Sequence, residues 1–166
     1  KVAVDGLLEH PEVRSISFVG STPIAQYIYE TSAKHGKRVQ ALGGAKNHML
    51  VLPDADLDLV ADSAVNAGFG SAGERCMAIS VVVAVEPVAD DLIPRISQRM
   101  KQIKVGDGRR SCDMGPLVTK RHRDKVASYI DIAAKDGAVV VVDGRDVNPD
   151  GDAGGYWLGP TLIDRV

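Results

Sequence analysis

Short apolar runs alternate along this chain with stretches in which apolar residues recur every three or four positions. The alternation is met four times and predicts an α/β fold with a largely parallel sheet. Ser15 to Val19 reads as the first strand and leads into Gly20-Ser21-Thr22-Pro23. Thr22 is the expected helix cap, and Pro23 suits the first helical position because proline has no N–H to leave unbonded there. Ile24, Ile28 and Thr31 share one face of that helix, and Gly36 supplies its stop. A second strand, Arg38 to Leu42, ends at Gly43-Gly44, and a third runs from His48 to Leu52.

Asp54, Asp56 and Asp58 then place negative charge where a helix macrodipole favours it, ahead of an apolar stripe of Leu57, Val60, Ala61, Ala64 and Val65. Ser80 to Val85 is β-branched and nearly all apolar, the pattern of a buried central strand. Asp90 and Asp91 open a helix carrying Leu92, Ile96, Met100 and Ile103. Thr119 caps another, with Val126, Ile130 and Ala133, which ends at Gly137 before the strand Ala138 to Val142. Asp143 to Gly155 is polar and glycine-rich and is expected to be a surface loop. The chain opens mid-pattern at Lys1-Val2-Ala3-Val4 and stops at Val166 after a strand-like run, so both ends read as cuts through a larger protein.

Composition narrows the function classes. A 45% hydrophobic fraction over 166 residues is enough for a globular core. A net charge of −2, few aromatics and no basic run argue against nucleic acid as a partner. No apolar run approaches the roughly 20 residues of a membrane span, and no leader pattern opens the chain. Cys76 and Cys112 lie far apart and outside any CxxC spacing, so neither a zinc site nor a disulfide is expected. The four histidines, His10, His35, His48 and His122, show no metal spacing. The expectation is a reducing compartment, the cytoplasm, with the mitochondrial matrix open.

Chemistry concentrates in Ala72-Gly73-Glu74-Arg75-Cys76-Met77-Ala78. A cysteine near a helix end, beside a cation and in glycine-rich backbone, is the setting in which a thiolate becomes a nucleophile. The competing reading is a buried core cysteine, although the neighbours form no periodic apolar set. Gly20-Ser21, where a strand meets a helix N-terminus, suits a phosphate and is equally ordinary cap chemistry. Gly43-Gly44-Ala45-Lys46-Asn47 reads as a hinge, a close ligand approach or a plain turn. Cys112 sits in a polar loop and is read as incidental.

Three motifs in fixed order resemble the aldehyde dehydrogenase superfamily: Phe18-Val19-Gly20-Ser21-Thr22, Leu42-Gly43-Gly44-Ala45-Lys46-Asn47 and Gly73-Glu74-Arg75-Cys76, with Gly155-Tyr156-Trp157 and Gly159-Pro160-Thr161 downstream. Gly44 to His48 and Ser71 to Ala78 are most similar to its methylmalonate-semialdehyde branch. The resemblance implies a partial aldehyde dehydrogenase-like α/β fold. Residues 1–45 would be the C-terminal remnant of a Rossmann-type NAD-binding domain, and residues 46–166 part of the catalytic domain. It implies that Cys76 is the nucleophile, that its N–H supplies part of an oxyanion hole, and that Gly20 and Ser21 contact the NAD pyrophosphate. Gly43 would lie beside the nicotinamide.

Hydrolytic members carry a glutamate just before the Gly-Gly pair, where this chain has Leu42, or Ala41 in the other alignment. Neither accepts a proton, so coenzyme A becomes the expected acyl acceptor in place of water. Arg75 is expected to bind the carboxylate of a small semialdehyde substrate, against the alternative of a structural salt bridge. The resemblance also implies a homo-oligomeric parent. Family members are much longer and carry an oxyanion-hole asparagine, a ribose-binding lysine and a Glu-x-Phe-Gly-Pro stretch that this sequence does not contain. The chain alone is therefore expected to be inactive. The rival expectations are a hydrolytic aldehyde dehydrogenase fragment and a non-catalytic domain for assembly or binding.

Overall fold

The computed structural model describes residues 1–151 and 154–166. Two compact units divide the chain, Lys1–Ala45 and Lys46–Val166.

In the first unit, helix α1 spans Val2–Glu9, strand β1 Ser15–Val19, helix α2 Thr22–Lys34 and strand β2 Arg38–Leu42. Strands β1 and β2 pair in parallel, Ser15 opposite Arg38 through Val19 opposite Leu42. Parallel neighbours need a crossover, and α2 provides it. The buried side of α2 is Ala25, Ile28 and Ser32, while Ile24 is 49% exposed. The face anticipated through Ile24 is therefore turned by one residue. Thr22 is also not the cap. Ser21 occupies that position in extended conformation, and Thr22 is the first helical residue. Its hydroxyl is used elsewhere, accepting a hydrogen bond from the Gly44 N–H at 3.1 Å. Gly36 stops the helix at φ +68°, as a left-handed glycine does. The buried Lys37 ammonium donates to the carbonyls of His10 (2.5 Å) and Val13 (2.6 Å), tying the chain after α1 to the start of β2.

In the second unit, β3 (Asn47–Val51) and β4 (Ile79–Ala84) pair in parallel with α3 (Leu57–Phe69) between them in sequence. Asp56 caps α3, its carboxylate accepting from the N–H groups of Asp58 and Leu59. The core forms where α3 meets α4 (Ala89–Met100), from Val51, Ala61, Ala64, Val65, Val88, Leu92, Ile96 and Met100. On the outer side of the same helix pair, Arg95 and Arg99 bridge Asp58, and Arg99 also bridges Asp62. Helix α5 (Lys120–Lys135) starts on a Thr119 cap, whose hydroxyl accepts from the His122 N–H, and leads to β5 (Val139–Val142).

Three expectations change here. Strand β4 pairs only with β3 among the described residues, and Val83 and Val85 are exposed, so it is not a buried central strand. Among the described residues the sheets are three separate pairs. Two are parallel, and the third joins β5 to β6 (Leu162–Asp164) in antiparallel fashion. The segment after Asp143 is more than a surface loop. Gly144 is buried, donates to the Thr161 hydroxyl and accepts from the Gly159 N–H, while Asp150 exchanges backbone bonds with residues 105 and 107. Asp152 and Ala153 of that segment lie outside the described residues. Among the described residues no helix is long and apolar enough to cross a membrane.

Candidate active site

Helix α3 ends at Phe69, and a 3₁₀ turn, Gly70–Gly73, follows. Three consecutive residues in it are left-handed: Ser71 (φ 55°), Ala72 (φ 53°) and Gly73 (φ 73°). Only the last is a residue type that adopts this conformation at no steric cost. The chain then makes a tight turn in which the Ala78 N–H donates to the Arg75 carbonyl at 3.0 Å. Cys76 is the first of the two central residues of that turn, and it is exposed. Its burial as a core cysteine is thereby ruled out. The N–H groups of Cys76 and Met77 donate to no acceptor among the described residues.

Arg75 and Cys76 are neighbours in sequence but serve different surroundings. The Arg75 guanidinium lies over Gly70, where a β-carbon would collide with it. There it lines an open groove of about 630 Å³ together with Asp62, Asn66, Arg99, Gln102 and Asp113, a lining that does not include Cys76. Arg75 makes no ion pair among the described residues, whereas Arg99 is engaged by Asp58 and Asp62.

Gly20, Ser21 and Gly43 come together at the C-terminal ends of β1 and β2, the end of a parallel sheet at which ligands bind. The Gly20 N–H donates to the Leu42 carbonyl at 3.1 Å. Ser21 is exposed, and its hydroxyl bonds no amide of its own helix. A free hydroxyl at the N-terminus of a 13-residue helix fits a phosphate group. The glycines have a separate explanation in packing. A β-carbon on Gly20 would stand 2.5 Å from the Phe18 ring, and one on Gly43 2.7 Å from the Thr22 hydroxyl.

At these places sequence reasoning missed the roles of two residues, Thr22, read as a helix cap, and Asn47, met only within a motif. Thr22 fastens the Gly43-Gly44 turn to α2. Asn47 fastens the Cys76 turn, donating from its side-chain amide to the carbonyls of Cys76 (2.8 Å) and Ala78 (2.9 Å). Neither partnership has a local sequence signal, because each joins residues 22 or more positions apart.

The aldehyde dehydrogenase family model matches residues 1–166. Malonate-semialdehyde dehydrogenase of Pseudomonas aeruginosa is 56% identical over 169 residues, spanning 100% of this chain and 34% of the relative. Methylmalonate-semialdehyde dehydrogenase (DddC) from Oceanimonas doudoroffii superposes with a TM-score of 0.93 at 50% identity, over 100% of this chain and 34% of that one. A Sinorhizobium meliloti protein named as a methylmalonate-semialdehyde dehydrogenase and solved in complex with NAD gives 0.93 at 49% identity, over 99% and 34%. The chain thus spans about a third of the length of the relatives it matches. Its α/β fold is that of these enzymes, and the chain belongs to the aldehyde dehydrogenase family.

Proposed function

We propose that this chain is the nucleophile-bearing part of an NAD-dependent, CoA-acylating malonate- or methylmalonate-semialdehyde dehydrogenase. The observation that carries the reading is Cys76 itself, exposed at the head of a tight turn and set in a sequence half or more identical to enzymes of that name. Residues 1–45 contribute to NAD binding and residues 46–166 to the catalytic domain. The parent enzyme is a homo-oligomer.

The Cys76 thiolate attacks the aldehyde carbon, and the new C–S bond leaves an oxyanion that an unpaired N–H of the turn can receive. Bound NAD would supply the hydride acceptor, and Cys76 would then hold the acyl group as a thioester. The free hydroxyl of Ser21 and the Gly20 backbone would hold the NAD pyrophosphate, and Gly43 would leave room for the nicotinamide. Leu42 takes no proton from water. The thiol of coenzyme A therefore resolves the thioester, forming its own C–S bond as the Cys76 thiolate leaves and takes up the thiol proton. Arg75 binds the substrate carboxylate, swinging from its rest over Gly70.

The acyl-transfer half can be tested without NAD or aldehyde. The 166-residue chain is acylated with p-nitrophenyl propionate, and the adduct is located by mass spectrometry. The expected result is propionyl-Cys76 that passes its acyl group to coenzyme A faster than to water. A free-acid product formed at the same rate with and without coenzyme A would favour a hydrolytic enzyme. Acylation confined to other residues would remove Cys76 from the role.

A further inference from the structure

We propose that Asn47 is the positioning residue of the Cys76 turn, an inference that rests on the reading of Cys76 as the nucleophile. Both N–H bonds of its side-chain amide are engaged, one on the Cys76 carbonyl at 2.8 Å and one on the Ala78 carbonyl at 2.9 Å. The carbonyls on either side of Met77 are thereby caught by a single side chain. Across a trans peptide the carbonyl of one residue and the N–H of the next point to opposite sides. Holding the Cys76 carbonyl against Asn47 therefore keeps the Met77 N–H turned away from Asn47.

The sheet is shaped for this contact. Asn47 pairs with Ile79 and the next residue, His48, with Val81, so Ser80 is an extra residue on β4. Bulges of this kind re-aim side chains and gather near functional sites. The Ser80 hydroxyl donates back to the Asn47 carbonyl at 3.4 Å, across the same irregularity. The turn also needs an anchor, because two residues before it begins lie two non-glycine left-handed residues, Ser71 and Ala72, whose conformation persists only when its surroundings fix it. Asparagine is the residue that does this. Aspartate presents only acceptors to two carbonyl oxygens, serine presents one donor, and leucine fills the volume with none.

The test uses the 166-residue chain and its Asn47→Leu, Asn47→Ser and Asn47→Asp variants, with two readouts. Trypsin cleavage of the Arg75–Cys76 bond reports how firmly the turn is held, independently of thiol chemistry, with cleavage after Lys101 as the control. Alkylation by iodoacetamide at neutral pH reports the thiol, with Cys112 as the internal control. Loss of both amide bonds in Asn47→Leu should speed cleavage at Arg75 about 25-fold, each net hydrogen bond setting a factor of about five. It should slow alkylation of Cys76 and leave Cys112 and Lys101 unchanged. Asn47→Ser should recover part of both effects, and Asn47→Asp should be at least as impaired as Asn47→Leu.

An unchanged rate at Arg75 in Asn47→Leu overturns the proposal, as does a change that Cys112 and Lys101 share equally, which marks a general loss of stability. Wild-type Cys76 alkylating no faster than the cysteine of an unstructured Gly73–Ala78 peptide would instead count against Cys76 as an activated nucleophile. The effect on cleavage would in that case still support Asn47 as the anchor of the turn.

Discussion

The hydroxyl of Thr22, one residue into α2, accepts the Gly44 N–H at 3.1 Å and stands where a β-carbon on Gly43 would come within 2.7 Å. One side chain thus bonds one glycine and requires the other. Thr22→Val, which keeps the shape and loses the acceptor, should destabilise the chain by about 1 kcal/mol. Gly43→Ala should cost more, because the new methyl also meets the Thr22 backbone at 3.1 Å. The double variant Thr22→Ala/Gly43→Ala should recover part of the Gly43→Ala loss. Urea denaturation of wild type, Thr22→Ala, Gly43→Ala and the double variant gives the coupling, and strict additivity would refute the contact.

Arg75 is read as the receiver of a substrate carboxylate, and two alkylating agents of similar size report on it without turnover. Iodoacetate carries a carboxylate and iodoacetamide does not. Arg75→Ala should lower the ratio of iodoacetate to iodoacetamide rates at Cys76 and leave the ratio at Cys112 unaltered. An unchanged ratio at Cys76 would assign the guanidinium to packing over Gly70 alone.

The second unit depends on the α3–α4 contact. Leu92 is 2% exposed and Ala61 is completely buried within it. Leu92→Ala should cost about 2–5 kcal/mol, the range for emptying a packed leucine site. Ala61→Leu should destabilise by about 1–3 kcal/mol through overpacking. Thermal unfolding followed by circular dichroism separates both from a surface control such as Leu59→Ala.

Several features of this site were open to reading in the sequence, and the others have identifiable reasons for being hidden. Cys76 stands out because glycine and charged neighbours break the apolar period around it, and Thr119 acts as the cap its position suggests, while Asp56, read only as one of three favourable charges, is the cap of α3. The Ser21/Thr22 assignment slipped by one because two adjacent hydroxyl residues are equivalent locally. Gly44, 22 positions away, determines what the second hydroxyl bonds. Helix α1 carries no side-chain cap at its start and so gave no opening signal. Strand β4 has the composition of a buried strand, but composition does not count its neighbours, and among the described residues it has one. Asn47 was visible only as a member of a motif, since its partners lie 29 and 31 residues downstream.

Acid should reveal the Asp107–Arg109 pair. Asp107 accepts from the Arg109 guanidinium and from its backbone N–H, and these bonds hold its carboxyl at about 2, against an ordinary 3.8. The folded value lies below the unfolded one, so protons favour the unfolded chain as pH falls. The contribution is complete above pH 3.8 and is lost as pH drops toward 2. Asp107→Asn should therefore lower the thermal midpoint at neutral pH, with the difference from wild type closing by about pH 2. A gap that persists there would mean that packing, and not charge, is responsible.

Glycine at positions 71 and 72 would relax the left-handed run ahead of Cys76, yet the chain keeps Ser71 and Ala72. The relaxation would widen the set of shapes open to the turn, since glycine visits both halves of conformational space and alanine is confined. What looks like discomfort in the backbone is therefore a narrowing of choice. Ser71 and Ala72 restrict how the chain can approach the thiol, so that its direction is inherited from the end of α3 instead of being found anew at each encounter.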